Sequence, residues 1–248
     1  GSEIRRGKPS TWKIFGLDVA VNAGNAMYYL PLMTLIKNRD KLGKEILSRI
    51  YETYATNMIN LSIGQATDIA WHKGLVDFSD IDEKKYLQMC AYKTGALANM
   101  SATISAILTK VDDKTVEIIG KFAETIGVAF QIQDDILNLT GKEFSEKKGY
   151  GEDITEGKAS LPVIRTLQTA NENDKKGLMG ILKLHTKDRQ EISKAIDIIE
   201  KYNSIEYSKN VAKNLVAEAW KNINKSLKES PAKGKLKAFA NYLIEREI

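Results

Sequence analysis

The sequence contains few cysteines and histidines and little of the residue pattern that is typical of β-sheets. Cys90 is the only cysteine, which excludes an intramolecular disulfide and is typical of a reducing compartment. The two histidines, His72 and His185, lie far apart, and together with one cysteine they argue against a zinc site. Only four prolines occur, and no Val/Ile/Thr-rich alternating segments stand out. The sequence therefore predicts a nearly all-helical protein.

Long hydrophobic runs and a strong excess of one charge are also missing. No run of eighteen apolar residues and no secretory leader occur, so we expect no membrane span and a cytoplasmic location. The net charge of +5 is modest and spread along the chain, so we expect no nucleic-acid partner. No linker, repeat or low-complexity segment interrupts the 248 residues, which predicts a single domain over residues 1–248.

Two adjacent carboxylates, Asp134 and Asp135, lie inside an otherwise apolar run that predicts a helix over about 113–139. A buried charge without a partner is costly, so this pair needs a cation or a shell of hydrogen-bond donors. At helical spacing one stripe of this helix is small and polar, and Asp135 lies beside it. The stripe consists of Gly120, Glu124, Gly127, Gln131, Asp134 and Asn138. We interpret the segment as a helix in the wall of a cavity, with oxygen ligands facing inward.

Two further helical blocks, about 42–73 and 82–110, also carry polar residues at unusual places. Lys93 is followed by Thr94 within a stripe of small residues that lets another helix approach closely. A lysine there is usually a surface residue, and the alternative is a cation that faces an anionic ligand. Asp68 is equally compatible with a buried carboxylate that satisfies neighbouring helices and with a role in a site. From Pro162 onward the pattern predicts three or four amphipathic helices, over about 162–170, 187–202, 204–228 and 232–247.

The polar outliers form a chemically consistent set. Its cations are Arg5, Arg6, Lys93, Lys148 and Lys158, its carboxylates are Asp134, Asp135 and Asp153, and its neutral dipoles are Thr94 and Gln131. Carboxylate oxygens suit Mg²⁺, which commonly takes one or two of them plus substrate phosphates. Around an apolar cavity, such a set suits a substrate with a diphosphate head and a hydrocarbon tail. Adjacent aspartates on a helix are usually a solvated patch, so the apolar context carries this hypothesis.

Five segments together make the sequence recognisable, and they span nearly the whole chain in order. They are Arg5 to Pro9, Gly64 to Asp68, Lys93 to Gly95, Phe130 to Asn138 and Lys148 to Lys158. The chain resembles the trans-prenyl diphosphate synthases, which include farnesyl and geranylgeranyl diphosphate synthases. The resemblance implies an all-α isoprenoid synthase bundle of helices around a central cavity. Asn138 and the run from Glu152 to Lys158 resemble the geranylgeranyl branch most.

The resemblance also implies a role for each polar residue. Asp134 and Asp135 begin the family's second aspartate-rich motif, which holds Mg²⁺ on the allylic diphosphate. Asn138 occupies the third position of that motif as a neutral and weaker ligand, and Asp153 adds to the metal shell. Arg5 contacts the allylic diphosphate, and Arg6 contacts isopentenyl diphosphate.

The remaining implied roles concern the leaving group and the carbocation. Lys93, Lys148 and Lys158 hold the departing diphosphate, while Thr94 and Gln131 face the cation. The implied reaction joins isopentenyl diphosphate to dimethylallyl, geranyl or farnesyl diphosphate by ionisation, condensation and proton loss. The family also implies a homodimer. The implied catalytic residues are Lys93, Thr94, Gln131, Asp134, Asp135 and Lys148.

One departure from the family pattern lowers the expected activity. The family places a first aspartate-rich motif shortly before the arginine pair, whereas Arg5 stands almost at the start of this sequence. With that motif and the N-terminal helices lacking, we expect this chain alone to turn over little. The alternatives are a non-catalytic or split subunit of a heteromeric prenyl synthase and a terpene cyclase. The Arg-Arg-Gly and Lys-Thr-Gly segments argue against the cyclase, which does not bind isopentenyl diphosphate.

Overall fold

The computed structural model describes residues 3–5, 7–140 and 151–245, without the side chains of Arg5 and Glu245. Helices dominate this part of the chain, and its single described sheet pairs β1 (Ile4–Arg5) with β2 (Lys8–Pro9) antiparallel. The prediction of an all-α protein is confirmed. Among the described helices, none combines the length and apolar character that crossing a bilayer requires.

The chain divides into two compact units, Gly1–Glu52 and Thr53–Ile248. The prediction of one domain over 1–248 stays a prediction. After the β-strand pair, the first unit contains four short helices: α1 (Thr11–Phe15), α2 (Leu17–Tyr29), α3 (Leu32–Lys37) and α4 (Arg39–Leu42). None of the residues in these four described helices is buried, so their apolar side chains are largely exposed to solvent.

The second unit contains the long helices and the hydrophobic core. Helix α5 (Lys44–His72) enters it from the first unit. A 3₁₀ turn (Phe78–Asp80) then leads into α6 (Glu83–Cys90), the π-helical turn Ala91–Gly95, α7 (Ala96–Leu108) and α8 (Asp113–Thr140). The rest is α9 (Glu152–Thr155), α10 (Leu161–Thr169), α11 (Glu172–Leu184), α12 (Arg189–Lys201), α13 (Ser204–Ser226) and α14 (Pro231–Glu245).

Helix α8 is the centre of this unit and packs chiefly against α7 and α13. Because neighbours cover it on several sides, most of its circumference is apolar, and Ile132 and Ile136 are almost completely buried. Gly127 faces Gly95 so closely that an added Cβ would lie 2.8 Å from the Gly95 Cα atom. The small residues on the two helices therefore permit the close approach that the sequence predicts.

Helix α11 was not predicted from the sequence. Gly177 and Gly180 interrupt its pattern, and glycine is a poor helix former. The helix begins at Glu172 because Asn171 caps it, with its side-chain oxygen accepting the Asp174 N–H at 2.9 Å. Its buried Leu178 and Leu182 supply the tertiary packing that outweighs the weak local preference.

The end of α13 depends on a buried lysine from α14. Lys233 is only 5% exposed, and its ammonium group donates hydrogen bonds to the carbonyl oxygens of Asn224 and Leu227 at 2.8 Å each. It also donates to the Glu229 carboxylate at 2.6 Å. The last carbonyl groups of a helix have no partner within the helix, so Lys233 supplies partners that α13 otherwise lacks.

Replacing Lys233 with methionine should lower the free energy of unfolding by about 3 kcal/mol, because the carbonyl groups at the end of α13 then lose charge-assisted hydrogen bonds. Lys235→Met is the matched control, since Lys235 lies exposed on the same helix and should change stability by less than about 0.5 kcal/mol. Urea denaturation of both variants measures the difference. Equal midpoints for the two variants would show that Lys233 does not cap α13.

Candidate active site

The candidate site is built around the π-helical turn Ala91–Gly95, where three helices touch through their backbones. Gly64 of α5 packs directly on the Lys93 backbone nitrogen, and Gly127 of α8 packs on Gly95. A π-helical turn is rare and is frequent at functional sites, where it redirects side chains that a regular helix would place elsewhere. Here it directs Lys93 towards α5 and Thr94 towards α8.

Lys93 forms a largely buried ion pair with α5. Its ammonium nitrogen lies 2.6 Å from the Asp68 carboxylate oxygen Oδ2, and the two side chains are 23% and 11% exposed. The sequence left the role of Asp68 open, and the structure makes it the partner that orients Lys93. The ammonium group is therefore held in place rather than extended into solvent, which fits a fixed cation better than a surface lysine.

A chain of hydrogen bonds joins Thr94 to the aspartate pair. The Thr94 hydroxyl donates to Gln131 Oε1 at 2.8 Å, and Gln131 Nε2 donates to Asp135 Oδ1 at 2.9 Å. The Tyr86 hydroxyl donates to the other oxygen, Asp135 Oδ2, at 2.7 Å. Within the described part of the chain, each carboxylate oxygen of Asp135 thus accepts one side-chain hydrogen bond and keeps a further lone pair. The sequence predicted this cluster except for Tyr86, which looks like any core tyrosine in the pattern of α6.

The surroundings of Asp135 disfavour its charge. Burial raises the pKa of Asp135 to about 7, and the nearby charge of Asp153 adds to the increase. The hydrogen bonds from Tyr86 and Gln131 and the charge of Lys158 lower the pKa of Asp135 only in part. Burial also raises the pKa of the Tyr86 hydroxyl, and the Asp135 charge raises it further. A cation placed beside Asp135 would therefore relieve an unfavourable buried charge.

This pKa predicts a pH dependence of stability. The Asp135 carboxyl loses its proton near 3.8 when unfolded and near 7 when folded, so the folded chain binds more protons in between. Its contribution to the free energy of unfolding therefore falls as the pH rises from about 4 to 7. The difference of about three pKa units between the unfolded and the folded chain corresponds to a change of about 4 kcal/mol in the free energy of unfolding. Asp135→Asn removes this titration.

Urea denaturation between pH 4 and 8 checks this expectation. The stability of Asp135→Asn minus that of the wild type should increase with pH up to about 7 and then level off. A constant difference across the range would show that Asp135 titrates near its ordinary value in the folded chain.

Asp153 and Lys158 approach this pair from α9 and the turn that follows it. The Lys158 ammonium lies 2.6 Å from Asp153 Oδ1 and 2.8 Å from Glu156 Oε2. Burial alone would lower the pKa of Lys158, but the charge of Asp153 and the hydrogen bonds to both carboxylates raise it, so the ammonium stays charged. Burial raises the pKa of Asp153 despite the Lys158 charge, and the Glu156 and Asp134 charges raise it further.

The structure thus brings six of the sequence-predicted residues into one region of the second unit. They are Thr94, Gln131, Asp134, Asp135, Asp153 and Lys158, with Lys93 at the adjoining turn. Lys148 and Arg6 lie outside the described residues. Arg5 is described only by its backbone in β1, so the predicted roles of both arginines and of Lys148 stay predictions.

The acidic residues offer part of a metal site. Among the described residues, no group of three or more His, Cys, Asp or Glu side chains is arranged to hold a metal ion by itself. The charges of Asp134, Asp135 and Asp153 nevertheless lie close enough to affect one another. Mg²⁺ is usually held by one or two carboxylates plus substrate phosphates and water. The donor set therefore fits a magnesium ion whose remaining ligands come from a bound diphosphate.

Comparison with known proteins shows which family the sequence matches. The sequence model of the polyprenyl synthetase family matches residues 1–199. A geranylgeranyl diphosphate synthase of Sulfolobus acidocaldarius is 34% identical over 98% of this chain and 72% of its own length. A short chain isoprenyl diphosphate synthase of Methanothermobacter thermautotrophicus is 32% identical over 99% of this chain and 72% of its own length.

Solved structures show the same fold. The crystal structure of a geranylgeranyl pyrophosphate synthetase from Pyrococcus horikoshii superposes with a TM-score of 0.87 at 30% identity, over 98% of this chain and 72% of that one. A decaprenyl diphosphate synthase from Rhodobacter capsulatus superposes with a TM-score of 0.85 at 23% identity, over 100% and 72% of the two chains. The predicted isoprenoid synthase fold is thereby confirmed. The chain belongs to the polyprenyl synthetase family and is a prenyltransferase.

Proposed function

We propose that the protein joins isopentenyl diphosphate to an allylic diphosphate (dimethylallyl, geranyl or farnesyl) and makes geranylgeranyl diphosphate. The observation that carries this proposal is the chain of hydrogen bonds from Thr94 through Gln131 to Asp135, next to the pair of Asp153 and Lys158. The names of the relatives from Sulfolobus acidocaldarius and Pyrococcus horikoshii favour the geranylgeranyl product.

The cations of the site have proposed roles on the two substrates. Lys93 and Lys158 are held by carboxylates at fixed positions, so they need little reorganisation to face a diphosphate. Lys148 adds to this clamp on the leaving diphosphate. Arg5 contacts the allylic diphosphate, and Arg6 contacts isopentenyl diphosphate.

The residues of this chain would favour ionisation of the allylic substrate. Asp134, Asp135 and Asp153 would hold Mg²⁺, which supplies positive charge that neutralises the departing diphosphate. The allylic carbon–oxygen bond breaks with its electron pair going to the diphosphate, and Lys93 and Lys158 stabilise that charge. The lone pairs of Thr94 Oγ1 and Gln131 Oε1 face the cation that remains.

The second half of the reaction forms the new carbon–carbon bond. The double bond of isopentenyl diphosphate attacks the allylic cation, and the proton then lost is taken by the released diphosphate. The product is longer by one isoprene unit and has a new allylic double bond. Asp135 is only 6% exposed, and a site closed to water in this way would protect the cation from being trapped.

We also propose that the protein acts as a homodimer in the cytoplasm. Helix α2 exposes large apolar side chains, among them Leu17, Met27 and Tyr29, each at least two-thirds exposed. Exposed large apolar side chains are frequent at protein interfaces, so this helix is the proposed contact of the dimer. Sedimentation velocity should give twice the mass of the chain, and a single species at 27.7 kDa would contradict the dimer.

Product analysis tests the proposed function. The protein is incubated with Mg²⁺ and labelled isopentenyl diphosphate, with and without each allylic primer, and the products are sized after removal of phosphate. We expect a linear twenty-carbon product that requires both substrates. A cyclic product from an allylic diphosphate alone would support the terpene cyclase. A folded chain that makes no product until a second polypeptide is added would support the split or non-catalytic subunit.

A further inference from the structure

Asn138 connects the last turn of α8 to the backbone that leads into α9. Its side-chain oxygen Oδ1 accepts the backbone N–H of Asp153 at 3.0 Å. Its main-chain carbonyl oxygen accepts the backbone N–H of Gly151 at 3.4 Å. Asn138 is only 8% exposed and lies one helical turn after Asp134. One buried residue therefore holds the backbone at two points immediately before and within α9.

We propose that Asn138 is a positioning residue that fixes α9, so that Asp153 and Lys158 meet Asp134 and Asp135. In this role its side-chain oxygen serves a backbone donor and is not a magnesium ligand. The two hydrogen bonds from α9 and Gly151 to Asn138 carry the proposal. It rests on the proposed function only in naming the reaction that this arrangement serves.

Helix α9 needs such support because it is very short. Four residues, Glu152–Thr155, are far fewer than a stable isolated helix requires. The preceding Gly151 has a left-handed backbone with φ of 65°, and an added Cβ there would collide with Ile192. The Asp153 backbone is held on both sides, since its N–H meets Asn138 and its carbonyl accepts the Lys158 N–H at 2.9 Å.

An amide suits this position better than a carboxylate. Asparagine and aspartate both offer an oxygen to the Asp153 N–H, but aspartate adds a negative charge beside Asp134 and Asp135. Leucine has nearly the same shape and offers no acceptor, and alanine removes the acceptor at a smaller volume. Comparing the three substitutions therefore distinguishes the effect of the hydrogen bond from the effects of added charge and of lost packing.

Amide hydrogen exchange of the full chain without metal tests the position of α9 directly. Asn138→Leu and Asn138→Ala should raise the exchange rate of peptides covering 151–158 by about tenfold, because a buried hydrogen bond to the Asp153 N–H is lost. Asn138→Asp keeps the acceptor and should stay within about threefold of the wild type. Peptides from the first half of α8 provide the internal reference and should not change.

Magnesium dependence of condensation gives the second measurement. Asn138→Leu and Asn138→Ala should raise the Mg²⁺ concentration for half-maximal rate by about tenfold. In Asn138→Asp this concentration should stay near the wild-type value, because the acceptor is kept. Unchanged exchange over 151–158 in both the leucine and alanine variants would overturn the proposal. Unchanged exchange combined with a raised Mg²⁺ concentration for half-maximal rate would instead make Asn138 a ligand. Hydrogen exchange is measured without substrate. It therefore tests the position of α9 independently of the proposed reaction.

Discussion

Replacing Asp134 with asparagine should lower the condensation rate by about a thousandfold while the chain stays folded. Asp134 is only partly buried on α8, and its charge reaches the buried Asp153 carboxyl. If it holds magnesium on the allylic diphosphate, its loss removes several kcal/mol of charge stabilisation from the ionisation step, and about 4 kcal/mol corresponds to a thousandfold. Steady-state rates at saturating substrates measure the effect.

The matched control is Glu117→Gln, which removes a carboxylate charge from the exposed side of the same helix. It should leave the rate within about twofold of the wild type, because it lies far along α8 from the site. An Asp134→Asn variant as active as this control would remove Asp134 from the mechanism. Thermal unfolding of both variants establishes that any loss of rate is not a loss of folded protein.

Replacing Gly64 with alanine should lower both stability and activity strongly. Besides the Lys93 nitrogen, an added Cβ would lie 2.7 Å from the backbone carbon of Tyr92 and 2.7 Å from its Cβ. These atoms belong to a packed helix and cannot swing aside, so α5 must move away from the π-helical turn. We expect a loss of about 3 kcal/mol in the free energy of unfolding. The Lys93–Asp68 ion pair would lengthen, and the condensation rate would fall.

Gly180→Ala is the matched control for this substitution. Gly180 is an exposed helical glycine of α11, and an added Cβ there meets no atom within 4 Å. Alanine should raise the free energy of unfolding by about 0.5–1 kcal/mol because it is the better helix former. Urea denaturation compares the two variants. Equal effects of the two alanines would mean that α5 does not press on the π-helical turn.

The helical fold and most of the site could be predicted because their signals are local in the sequence. The apolar pattern around Asp134 and Asp135 identifies a buried helix, and the order of five short segments identifies the family. Lys93, Thr94 and Gln131 stand out as polar residues among small and apolar ones. A polar residue in a segment that is otherwise built for an apolar core is locally unfavourable, and such residues often mark functional sites.

The partners of these residues could not be predicted because they depend on how helices pack. Tyr86 meets Asp135 across 49 residues of sequence, and Asp68 meets Lys93 across 25. Neither pairing leaves a pattern along a single helix. The use of Asn138 as an acceptor for a backbone N–H likewise depends on where α9 lies. Helix α11 was missed for a related reason, since buried leucines and a cap compensate for its glycines.

The central claim is that Asp134, Asp135 and Asp153, with Lys158, form a magnesium-dependent diphosphate site. Calorimetric titration of inorganic diphosphate into the protein, with and without Mg²⁺, tests it most directly. We expect the affinity for diphosphate to fall at least about tenfold without Mg²⁺, and to fall by a similar factor in Asp153→Asn with Mg²⁺ present. Equal affinity with and without Mg²⁺, or an Asp153→Asn variant that binds as the wild type does, would contradict it.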